Sequence, residues 1–67
     1  MFAIKCLPSS YHPYLSKWFF YYGEDKYGAN TGMNVNLALK CETYREALDK
    51  AKNLWDNYRY ETMILKV

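Results

Sequence analysis

KWFFYY, residues Lys17–Tyr22, is the stretch on which the fold turns. It has no polar alternation. Read as a strand, it sets Trp18, Phe20 and Tyr22 on one face and Lys17, Phe19 and Tyr21 on the other. Rings then stand on both faces of a sheet, and one helix covers only one face. The enrichment extends outward: eight of the seventeen residues from Tyr11 to Tyr27 are aromatic. Each such ring buries about 150–250 Å² and weighs heavily in cores and interfaces.

Downstream lies GEDKYGANTG, Gly23–Gly32, whose three glycines with Asp25 and Asn30 read as a projecting loop. Val35, Leu37, Leu39 and Cys41 then alternate with Asn34, Asn36, Ala38 and Lys40. This is the pattern of a half-buried strand with one wet face, and it closes a long antiparallel hairpin with the aromatic strand. Upstream, Phe2–Leu7 reads as a strand with Phe2, Ile4 and Cys6 inward. Pro8 ends it, and Pro8–Pro13 is loop.

Thr43-Tyr44-Arg45-Glu46 is a capping box opening a helix that runs to about Tyr58. Tyr44, Ala47, Leu48, Ala51, Leu54, Trp55 and Tyr58 form its apolar stripe, and Asn57 is the expected left-handed residue at its end. A last strand, Thr62–Val67, turns Met63, Leu65 and Val67 inward. The order β-β-β-α-β implies an α+β fold, a small and mostly antiparallel sheet with one helix packed on one face, in a single domain over residues 1–67. Val35, Leu37 and Leu39 are expected under Leu48, Ala51 and Trp55.

The net charge of +2 resides in residues 1–22, which hold Lys5, Lys17 and no acid. That is too little for a committed nucleic-acid binder. Nothing approaches the apolar run of about 18 residues that spans a membrane. With no basic, apolar leader, the chain reads as a complete, cytoplasmic product. Cys6 and Cys41 match no metal-ligand spacing and read as two buried thiols.

No catalytic residue is assigned. His12, the only histidine, lies in a proline-flanked loop without a placed partner. Glu24 and Asp25 fall in the glycine-rich loop, where no held acid–base geometry is expected. The glycine spacing fits no phosphate or dinucleotide fingerprint. Hence no metal or cofactor is expected.

Two binding readings remain. Trp18, Tyr21, Tyr22 and Lys17 suit a platform for a nucleotide or single-stranded nucleic acid, at about 1–3 kcal/mol per stacked base. A protein partner suits more of the features, since exposed Tyr and Trp concentrate at interface hot spots. The candidate partner-binding residues are Phe19 and Tyr21, with Tyr14, Lys17 and Tyr27 at the rim. A homodimer through the sheet would also cover surplus rings.

From Val35 onward, CETYREALDKAKNLW followed by YETMILKV resembles the small phage-encoded host-inhibitor proteins, in particular the phage inhibitor of bacterial RNA polymerase. There too a strand, a capped helix and a short closing strand follow one another. The resemblance spans about half the chain and implies a non-catalytic protein that binds and masks a site on a host protein. It assigns a role to no residue.

Overall fold

The computed structural model describes residues 1–8 and 17–67. Strands β1 (Phe2–Leu7), β2 (Phe19–Asp25) and β3 (Gly28–Gly32) precede helix α1 (Tyr44–Tyr58) and strand β4 (Glu61–Lys66). They form one antiparallel four-stranded sheet in the order β3-β2-β1-β4, with α1 resting mainly on β4 and β1. The fold is α+β.

The expected loop Gly23–Gly32 is a hairpin instead. β2 continues to Asp25, Asp25 pairs with Gly28, and only Lys26 and Tyr27 turn. The side chain of Asp25 organises that turn, accepting from the Tyr27 N–H at 2.8 Å and from Asn30 Nδ2 at 3.1 Å. Gly28, at φ 120°, takes a backbone angle that residues with a Cβ rarely adopt.

The expected strand Asn34–Cys41 does not form as a whole. Val35–Leu37 is a short 3₁₀ turn, capped by the Asn34 side chain, which accepts from the Asn36 N–H. Asparagine bonds its own downstream backbone readily, and here that local bond overrides the alternation. Val35 and Leu37 are accordingly 40% and 60% exposed, not packed under the helix. Only the end of the segment behaves as a strand. Cys41 exchanges two 2.8 Å bonds with Phe2, and the Leu39 N–H donates to the Tyr21 carbonyl at 2.9 Å. β2 leaves β1 after Phe20, bulging between Tyr21 and Gly23, and Leu39–Cys41 fill the gap.

α1 starts as expected: Thr43 Oγ1 accepts from the Glu46 N–H at 3.1 Å. It ends on Arg59, at φ 60°, not on Asn57. Arg45 pairs with Asp49 at 3.8 Å on the wet face. Among the described residues no helix is long and apolar enough to cross a membrane.

Two apolar clusters lie on the two sides of the sheet. Beneath α1, Ile4, Cys6, Tyr21, Cys41, Ala47 and Leu54 are buried, joined by Phe2, Leu39, Tyr58, Tyr60 and Ile64. On the opposite side Ala3 and Phe20 are covered by Ala38, with Tyr22 and Leu65 alongside. The second cover is the segment expected to be a strand. It crosses the helix-free side, and its Asn34 N–H donates to the Tyr22 hydroxyl at 2.8 Å. Gly32 makes this close approach workable: a Cβ there would sit 2.6 Å from two ring carbons of Tyr22.

Both cysteines are buried free thiols, and burial pushes Cys6 up to about 11. The parity of β4 is the reverse of that expected. Its register sets Ile64 opposite Ile4 and Thr62 opposite Cys6, both under the helix. Leu65 lies on the other face, and Met63 and Val67 are about half exposed.

Candidate functional site

The register of β2 decides which rings are available. Phe19 pairs with Cys6 and therefore points to the helix side, while Phe20 pairs with Lys5 and points away. The two faces of the aromatic strand are thus the reverse of those expected. Tyr21, placed by sequence on the open face, is 4% exposed within the helix-side core. Its hydroxyl donates to Glu24 at 3.4 Å. Burial, then the Glu24 charge and that bond, push Tyr21 up to about 12. Phe19 is half-buried on the same side.

Lys17 is exposed beside the start of β2. Tyr27, at the hairpin tip, is 86% exposed, with Lys26 Nζ 5.1 Å from its ring centre. Asp25 is held below the usual carboxylate range, by its bond from Asn30 first and from the Tyr27 N–H second. The strand rise sets Lys17 and Tyr27 roughly 20–25 Å apart, at opposite ends of β2. The proposed set is therefore not one site. Tyr14 and His12 lie outside the described residues.

The surface that does assemble is on the helix-free side, and sequence reasoning gave most of its members to the core. Trp18 is 37% exposed and meets Phe20 edge to face, with centroids 5.2 Å apart and an interplanar angle of 80°. Lys5 Nζ lies 4.1 Å from the Trp18 ring centre, a cation–π contact. Met63 pairs with Lys5 across β1–β4 and is 47% exposed. Met33, Val35 and Leu37 are 53%, 40% and 60% exposed on the segment that folds over the rest of this side.

One signal in the sequence did point here. Lys5 is the sole charge in β1 and opposes Ile4 in parity, so it marks the face that is not under the helix. Nothing comparable marked Leu37 as exposed. Among the described residues there is no enclosed cavity, and no three acids, cysteines or histidines gather as a metal site. No family model, curated protein or solved structure matches the chain.

Proposed function

We propose that the protein is a small non-catalytic inhibitor, phage-encoded, that masks a site on a host protein through its helix-free side. One observation carries this reading. Trp18, Met63, Val35 and Leu37 keep large apolar area in water on the helix-free side. Large exposed apolar side chains on one side of a small domain suit an interaction site. Lys5 lies between Trp18 and Met63 and Lys17 is exposed nearby in sequence, so the complementary patch is apolar with acidic groups.

Nucleotide stacking is the weaker reading. A stacking platform presents ring faces to solvent. Here the Lys5 ammonium covers one face of Trp18, and Phe20, the ring against it, is 7% exposed.

Capture from a nuclease-treated host lysate tests the proposal. Immobilised wild-type chain is expected to retain a host protein, with Trp18→Ala and Leu37→Asp each weakening retention about tenfold or more, as for interface anchors. Retention that vanishes with nuclease treatment, or that survives both substitutions unchanged, would overturn it.

A further inference from the structure

β4 is an edge strand, and among the described residues nothing pairs with its outer side. Its free groups follow from the ladder. Val67 and Met1 exchange bonds of 2.8 and 3.2 Å, so the bonded pairs continue at Ala3–Leu65 and Lys5–Met63. Thr62, Ile64 and Lys66 therefore direct their N–H and C=O groups outward. Exposed edges of this kind pair with another chain unless something blunts them.

The helix stripe points to the same place. At about 100° per residue, Leu54, Ala47, Tyr58 and Ala51 fill one half of the apolar arc, and Tyr44, Trp55 and Leu48 fill the other. Of the first half, Ala47, Leu54 and Tyr58 pack into the core with Ile4, Cys6, Tyr21 and Ile64. In a right-handed helix seated on β4 and β1, the second half leans over the outer edge of β4. Tyr44 meets Phe2 of β1 edge to face, with centroids 5.7 Å apart, and keeps 52% of its surface exposed, while Leu48 is 43% exposed.

We propose that this edge and helix flank bind a second copy of the chain, β4 pairing antiparallel with its own counterpart about a two-fold axis near Ile64. The bonded positions then fall in register: Ile64 opposes Ile64 of the other copy, and Thr62 opposes Lys66. The axis is perpendicular to the sheet, so both helices lie on one face and run antiparallel. With strands about 4.8 Å apart and each helix set slightly inward of β4, the helix axes come to about 10 Å, the spacing of packed helices.

Charge selects this partner. Past Leu48, on the wet side of the helix, lie Arg45, Asp49, Lys52 and Asp56, alternating in sign, with Arg45 and Asp49 paired within the chain at 3.8 Å. Read backwards, the row has the opposite signs. Antiparallel packing about the middle of the helix sets Arg45 against Asp56 of the other copy, and Asp49 against Lys52. A parallel arrangement would set like against like. An isologous contact demands this self-complementarity. The inference does not rest on the partner proposed for the helix-free side, because it uses the outer edge of β4 and the helix flank, whereas Trp18 and Met63 are on the opposite face of the sheet.

Sedimentation equilibrium at micromolar concentrations is the test. The wild-type mass should rise from the 8.0 kDa monomer towards twice that value. Leu48→Glu should weaken association about tenfold or more while the circular dichroism spectrum is unchanged. Thr62→Pro removes one outward donor, at an edge position where proline is tolerated, and should do the same; if it fails to fold, Leu48→Glu decides. Asp49→Lys should weaken association and the added Lys52→Asp should restore it. A wild-type chain that stays monomeric throughout would overturn the proposal. So would a dimer that survives Leu48→Glu and the charge reversal.

Discussion

Replacing Tyr21 with alanine should remove a large share of the protein's stability. Tyr21 is 4% exposed and lies in the helix-side cluster with Ile4, Cys6, Cys41, Ala47 and Leu54. Emptying the volume of a buried ring costs about 3–5 kcal/mol. At about 0.05–0.15 kcal/mol per residue, a chain of 67 residues has roughly 3–10 kcal/mol in total. The loss is therefore roughly 30% or more of the whole. At about 4–8 °C per kcal/mol for a domain of this size, Tm should fall by roughly 12 °C or more. Tyr21→Phe keeps the ring and removes only the 3.4 Å bond to Glu24, and so should cost under about 1 kcal/mol. Thermal unfolding followed by far-ultraviolet circular dichroism reads both. A Tyr21→Ala protein melting within a few degrees of wild type would put the ring in solvent and refute the β1–β2 register.

Three other outcomes follow from the packing. Gly32→Ala forces a Cβ against the Tyr22 ring and should cost about 1–3 kcal/mol in chemical denaturation; the cost should shrink in a Tyr22→Ala background, and equal costs in both would refute the contact. Leu37→Ala should leave the denaturation midpoint within about 0.5 kcal/mol of wild type, as for an exposed site; a core-sized loss would restore the strand reading of Asn34–Cys41. Cys6 and Tyr21 both have raised folded-state values, about 11 and about 12. The unfolded chain therefore loses these protons first. Stability should hold below about pH 9 and decline as pH rises towards 12, and Tyr21→Phe should remove the later part of the decline, as pH-dependent denaturation would show.

The parts of this fold legible in the sequence are those where one local signal acts alone. Thr43 and Glu46 fixed the start of α1, the spacing of Ala47, Ala51 and Leu54 fixed its buried side, and Phe2–Leu7 emerged with the right residues inward. The failures arise where two signals compete or where parity is set by a distant partner. In Asn34–Cys41 the alternation of Val35, Leu37 and Leu39 competes with the turn-forming asparagines, and the asparagine cap prevails. In β2 and β4 the residues are right but the faces are reversed. Nothing within KWFFYY says which ring opposes Cys6, and nothing within ETMILK says that Ile64 opposes Ile4. A slip of one residue inverts every side chain. One helix cannot cover two aromatic faces, and that limit holds here. Its consequence is met within the chain, because Ala38 and its neighbours cover the second face. That reversal also removed Tyr21 from the candidate surface and left Trp18 with Lys5 in its place.

The proposed function rests on the helix-free side meeting a host protein, and hydroxyl-radical footprinting of the captured complex tests this most directly. Trp18, Met33, Met63 and Tyr27 are all exposed and carry the side chains that such radicals oxidise fastest. The account predicts that bound partner protects Trp18 and Met63 strongly, with Met33 following, while Tyr27 at the far hairpin tip is oxidised as in the free chain. Protection of Tyr27 with Trp18 and Met63 left reactive would contradict it and move the working surface to the Lys26–Tyr27 turn.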